Sequence, residues 1–223
     1  VAPASSVELY HNSKVGGYVE HILHVVKFSL KIKKLWEDIG ATIDFTDEEL
    51  VFAALHHDLG KVGDELGNEL YTPNESEWHI KNQGKIYNFN PDIEHMNVTD
   101  RVFFLLQHYG IKYSLQEFYG IRLADGMYED ANQGYLKISM PHMMLRTHIA
   151  TILHQADMMA THYERDMWKN GNKIEAKKVE QSVSKIKGAV GKQVEANNEV
   201  KEKFNTKTTD AKDIFNELFG EKK

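Results

Sequence analysis

Cysteine is absent from the 223 residues. That excludes a disulfide framework, a thiolate nucleophile and a cysteine-ligated zinc site, and it is compatible with a reducing cytoplasm. No run approaches the roughly 18 consecutive apolar residues that a membrane helix needs, so no membrane contact is expected. No signal-peptide pattern opens the chain; its first residue is Val1, which reads as a trimmed or processed start. A Walker-type glycine loop and a serine nucleophile elbow are both missing, which leaves little room for kinase or serine-hydrolase chemistry. There is no internal repeat. Nor is there a surplus of positive charge: the net charge is −6. Residues 1–170 hold fifteen basic and twenty-four acidic side chains, whereas residues 171–223 hold twelve lysines and nine acidic residues. An acidic body argues against broad binding to a phosphate backbone. It leaves open a small phosphate ester held by metal ions, which bring their own charge.

What is present is ordinary in bulk, with 41% hydrophobic and 27% charged residues, and fits one soluble domain or a domain plus an extension. Residues 1–15 read as an irregular lead-in. From Gly16 to about Ile39, apolar residues including Val19, Ile22, Leu23, Val25, Val26 and Leu30 keep helical spacing. Thr46 with Glu49, and Ser114 with Glu117, are capping-box patterns that open two further helices, the first ending at His57-Asp58. Residues 60–95 are polar and broken by glycine and proline, with a short helix expected around Trp78-His79. A helix is expected over about 97–109, a loop over 124–134, and a long helix from about Pro141 to Trp168. Residues 171–223 are expected to be a Lys/Glu-rich helical extension with an amphipathic tail, suited to packing on the body, on a second copy or on a partner protein. The expected fold class is all-α: a helical bundle over 16–170 with a C-terminal helical extension.

Twelve histidines are many for this length. The informative stretch is Ala53-Ala54-Leu55-His56-His57-Asp58-Leu59-Gly60-Lys61, in which an apolar run ends in a His-Asp pair. Imidazole nitrogen and carboxylate oxygen together suit magnesium or a first-row divalent ion. His21 lies one helix and a connection earlier, and Asp157 sits amid apolar residues of the last long helix, where a lone carboxylate needs a partner or an ion. Four ligands from three helices make a rigid cage with coordination positions left open.

These motifs resemble the HD-domain metal-dependent phosphohydrolase superfamily. Its His…His-Asp…Asp pattern is similar to His21, His57, Asp58 and Asp157. Gly16-Gly17-Tyr18-Val19-Glu20-His21 resembles the Gly-Gly-x-x-Glu-His opening of the branch containing 3′–5′ exoribonucleases and some relaxase-associated domains. His57-Asp58-Leu59-Gly60-Lys61 resembles the family's His-Asp core, and Ala156-Asp157 its distal helix. The likeness covers about residues 11–165. It implies an HD-like bundle and one or two divalent ions (manganese, iron, magnesium or similar) held by His21, His57, Asp58 and Asp157. His79 and His108 are the candidates for a second ion, ahead of His95. Ala124 stands where relatives carry the histidine of a His-Asp-Gly sequence, which points toward single-metal chemistry. His24 shares a helix face with His21 and is expected to line the pocket wall or the core. His56 and His154 are expected to turn away from the neighbouring ligands by roughly 100° or more, and so to pack or to hydrogen-bond behind them.

The expected activity is hydrolysis of a nucleotide or related small phosphoester by a metal-activated water. Asp58 or Asp157 would handle the proton, Lys61 would neutralise phosphate charge, and Arg122 would contact the substrate phosphate, with Arg146 more readily a surface residue. A phosphodiesterase or 3′–5′ exonuclease on nucleic acid is the second enzyme reading. A metal-binding scaffold acting through the helical tail is the reading from a different class.

Overall fold

Thr46 and Ser114 do what their capping boxes predict. The Thr46 hydroxyl accepts the Glu49 amide while Glu49 returns to the Thr46 amide, and Ser114 with Glu117 repeats the arrangement. Each cap is worth about 1 kcal/mol. The Ser114 hydroxyl also donates to Glu49 Oε1 at 2.7 Å, which ties the two helix starts together. A computed structural model describes residues 2–137 and 140–169, and the expectations for 171–223 fall outside the described residues.

In chain order the helices are α1 (Gly17–Asp38), α2 (Asp47–His56), α3 (Glu77–Gln83), α4 (Val98–His108), α5 (Leu115–Arg122), α6 (Gln133–Leu136) and α7 (Ile149–Lys169). One antiparallel pair, β1 (Tyr71–Pro73) with β2 (Tyr87–Phe89), is the only sheet among the described residues, and the domain is all-α. No described helix is long and apolar enough to cross a membrane.

The core follows from the apolar stripes. Val25, Phe28 and Ile32 of α1, Leu50, Ala53 and Ala54 of α2, and Ile152, Leu153, Ala156 and Ala160 of α7 meet in one buried cluster. Val102 and Leu106 of α4 and Ile121 of α5 close it. Each fully buried leucine or isoleucine contributes roughly 1.5–3 kcal/mol. Small residues set how closely the helices approach. A Cβ on Gly120 would lie 2.7 Å from the Ala53 Cβ, so α5 can rest on α2 only with glycine there.

Three details differ from the sequence reading. The last helix starts at Ile149 and not near Pro141, which opens only a 3-10 turn, Pro141–Met143. Thr147 decides the start: its hydroxyl bonds Asp44 Oδ1 at 3.1 Å and accepts the Ile149 amide at 3.3 Å. The polar stretch 60–95 holds the small sheet as well as the expected short helix. The 124–134 loop is wound into two 3-10 turns, Gly126–Tyr128 and Asp130–Asn132.

Candidate metal centre

The Gly16-Gly17 pair has two separate duties. Gly16 takes a left-handed φ of +77°, a conformation that costs glycine little. At Gly17 a Cβ would stand 1.9 Å from the Asn12 carbonyl oxygen, so only glycine lets the lead-in cross the start of α1. That crossing lays the His11 ring on the His21 ring, with centroids 4.7 Å apart. Glu20 fastens the same crossing through Lys14 Nζ at 2.6 Å.

His57 closes α2, and Asp58 precedes the 3-10 turn Leu59–Lys61. The turn packs against the start of α4, where a Cβ on Gly60 would meet the Val98 oxygen at 2.2 Å. This seats Lys61 with Nζ 2.6 Å from Asp58 Oδ2. From α7 come Asp157 and, seven residues later on the same face, Glu164.

These elements bring His21, His57, Asp58 and Asp157 together. His21 Nε2 is 3.0 Å from Asp157 Oδ1 and 3.8 Å from Asp58 Oδ2; His57 Nε2 is 3.6 Å from Asp58 Oδ2 and 3.8 Å from Asp157 Oδ1. Ligand atoms of His21, His57 and Asp157 all lie within 4.8 Å of one another, which is metal-holding range. Asp58 faces both imidazoles while Lys61 holds its Oδ2.

The far side of each imidazole fixes its tautomer. His57 Nδ1 donates to the Ala54 carbonyl at 2.9 Å, and His21 Nδ1 donates to Glu164 at 3.1 Å. Glu164 is fully buried, and its Oε1 also accepts His24 Nδ1 at 2.8 Å. Both Nε2 atoms are buried and neither is held by an aligned hydrogen bond, while Asp157 Oδ1 stands 3.0 Å from His21 Nε2, close enough to act on its charge. Two orphaned nitrogens facing two carboxylates fit a divalent ion with mixed nitrogen and oxygen ligands.

The charges reinforce one another. Burial pulls His21 down, but Asp157 and Glu164 outweigh it and raise its pKa to about 10. Burial opposes His57 too, and Asp58 then Asp157 raise it. Burial would raise the carboxyls of Asp58, Asp157 and Glu164; Lys61 lowers the first, and the histidines lower the other two. Burial also opposes the Lys61 ammonium, and Asp58 more than compensates.

Beside the centre opens a cleft of about 250 Å³, walled by His11, Lys61, Asp125, His154, Asp157 and His162 among others. A larger cavity of about 470 Å³ lies elsewhere, by Tyr119, Tyr135 and Met143, and holds none of the four clustered residues.

No family model, curated protein or solved structure matches this chain.

Several residues read from sequence stand apart from it. His79 on α3, His108 at the end of α4 and His95 are all exposed, and none joins a metal-range group among the described residues. Their rings or helices sit on the outer surface, His79 against Trp78 and His108 against Tyr109. Arg122 is half-buried at the end of α5 and does not line the cleft, while Arg146 borders the larger cavity. His24 is buried and shares Glu164 with His21, the core position among its two expected places. His56 packs on Phe52 with its Nδ1 on the Phe52 carbonyl, also as expected. His154 departs from expectation by lining the cleft.

Sequence reasoning missed Glu164 and His11. Glu164 was findable as the residue seven after Asp157 on the same helical face. His11, within 4.8 Å of ligand atoms on His21 and Glu164, had no signal beyond its being a histidine near the Gly-Gly pair.

Proposed function

We propose that this chain is an HD-type metal-dependent phosphohydrolase that cleaves the phosphate ester of a nucleotide or a similar small phosphoester. The observation that carries the reading is the pair of buried, unpartnered Nε2 atoms, their tautomers fixed from behind by Glu164 and the Ala54 carbonyl, facing Asp58 and Asp157. His21, His57, Asp58 and Asp157 would hold one divalent ion per chain, of the manganese, iron or magnesium kind. Such an ion, when bound, supplies Lewis acidity toward a phosphoryl oxygen and acidifies water.

The chain's own groups do the rest. Lys61 balances the Asp58 carboxylate and lends positive charge to the cleft where phosphate oxygens gather. Asp157, bordering both centre and cleft, is placed to take a proton from attacking water. The cleft volume of about 250 Å³ lies below the roughly 300–1,000 Å³ common for ligand pockets. That size supports a single nucleotide or smaller ester over a polynucleotide, as does the acidic body.

The test combines metal content with hydrolysis. Wild type, His57→Ala and Asp58→Ala would be loaded with manganese, iron or magnesium. Each would be offered nucleoside mono- and triphosphates, cyclic dinucleotides and short oligonucleotides. The expected result is one ion per wild-type chain and cleavage of a small phosphoester, both lost in the variants. A wild-type chain that binds no divalent ion overturns the reading.

A further inference from the structure

The turn after α5 is built around one ring. His154 Nδ1 donates to the Ala124 carbonyl at 2.7 Å. The ring lies flat against Gly126, so closely that a Cβ there would fall 2.5 Å from Cε1, 2.6 Å from Nε2 and 2.8 Å from Nδ1. Gly126 also has a φ of +55°, which side chains rarely adopt. The turn is itself anchored, because the buried Asn132 amide donates to the Gly126 carbonyl at 3.0 Å. With Nδ1 committed as a donor, chemistry is left to Nε2. That atom has no protein partner among the described residues, and the ring lines the cleft together with Asp58, Lys61 and Asp157.

Position explains why this imidazole belongs to the cleft. Three residues along a helix turn through about 300°, which sets His154 about 60° from Asp157 and one turn away on the same side. It is therefore separate from the metal-range cluster yet opens on the same space.

We propose that His154 is the acid that protonates the leaving group, an inference that rests on the phosphohydrolase reading above. In the imidazolium form Nδ1–H stays on the Ala124 carbonyl and Nε2–H meets the ester oxygen. As water adds to phosphorus, a P–O bond forms and the ester P–O bond breaks. The departing oxygen keeps the bonding electrons, takes the Nε2 proton and leaves as an alcohol. His154 is left neutral with Nδ1–H in place, and solvent restores its second proton. The proton lost by the attacking water returns to solvent through a carboxylate, so charge and atoms balance.

Leaving-group dependence tests the role, since p-nitrophenolate departs without a proton whereas an alkoxide does not. The full chain, loaded with manganese, would be assayed as wild type, His154→Ala, His154→Gln and Gly126→Ala on p-nitrophenyl phosphate and on a nucleoside monophosphate. Manganese content and Tm would be measured alongside. His154→Ala is expected to lose about 100-fold or more in kcat on the nucleotide, the scale of general-acid catalysis. On p-nitrophenyl phosphate the loss should be only a few-fold, with manganese content unchanged. His154→Gln, which keeps an N–H donor but no acid, should recover part of KM and little of kcat. Gly126→Ala should show the same selective loss by displacing the ring. Equal losses on the two esters, or loss of manganese from His154→Ala, overturn the assignment while wild-type turnover keeps the parent reading standing. A manganese-loaded wild type that turns over neither ester overturns both.

Discussion

Glu164→Gln is a small change with a large expected effect, because the carboxylate is accepting from two donors at once. Its Oε1 takes His24 Nδ1 at 2.8 Å and lies 3.2 Å from His21 Nδ1, while Oε2 takes His21 Nδ1 at 3.1 Å. A glutamine amide has one acceptor and one donor end. If its oxygen stays with His24, its NH₂ faces His21 Nδ1, and the pair is satisfied only when His21 moves its proton to Nε2. That proton then occupies the lone pair that faces Asp157 and a bound ion. Removing the partner that orients a metal-binding histidine costs about 10–100-fold in metal affinity, or about 1.4–2.7 kcal/mol. The inverted tautomer points to the upper part of that range. Manganese titration by calorimetry at near-neutral pH would read the affinity, and ¹⁵N NMR of the metal-free imidazoles above about pH 10, where His21 has lost its second proton, would read the tautomer. Wild-type affinity in Glu164→Gln, with Nδ1 still carrying the His21 proton, would refute the reasoning. Glu164→Ala tests the same contact less cleanly, since it strands two buried donors at about 1–3 kcal/mol each and lowers stability as well.

Three further outcomes follow from the structure. Gly60→Ala should destabilise by about 1–3 kcal/mol through overpacking, because the new Cβ would stand 2.2 Å from the Val98 oxygen; an unchanged urea midpoint would contradict that close approach. For the metal-free protein, His21 is raised from 6.5 to about 10, so its contribution to stability is complete below pH 6.5 and disappears as pH rises through about 10. Asp58, Asp157 and Glu164 are depressed, so their contributions hold above the ordinary carboxyl range and are lost as pH falls. Tm of the metal-free chain should therefore decline on both the acid and the alkaline side. A metal ion takes the place of the His21 proton, so affinity should rise from about pH 6 to about pH 9, with protons released on binding. Flat affinity over that interval would count against the ligand assignment.

The parts of this site that were legible in the sequence are those where one residue type has few other reasons to be in its place. A His-Asp pair ending an apolar run, an aspartate amid Ile152, Leu153 and Ala156, and adjacent glycines before a helix each conflict with the simplest amphipathic pattern, and the structure brings them together. Glu164 was hidden by its neighbours: Tyr163-Glu164-Arg165-Asp166 reads as a solvated end of a helix, and only the seven-residue step from Asp157 marks it as inward-facing. His79 and His108 show the reverse error, since a histidine near an aromatic residue or a helix end is equally at home on a surface. Strands of three residues, separated by a helix, carry too little alternation to be seen in a polar stretch. Pro141 suits a helix start, but Thr147 has the better claim because tertiary contact with Asp44 aims its hydroxyl at the Ile149 amide. The most instructive displacement is at Ala124. In the alignment suggested by sequence that position lacks a histidine; in space its carbonyl holds the ring of His154, thirty residues later in the chain. A backbone carbonyl is common to every residue type, so no sequence pattern could have shown that this alanine seats an imidazole. The position of His154 beside Asp157 does follow from sequence, because a step of three on a helix leaves two side chains about 60° apart and not opposed.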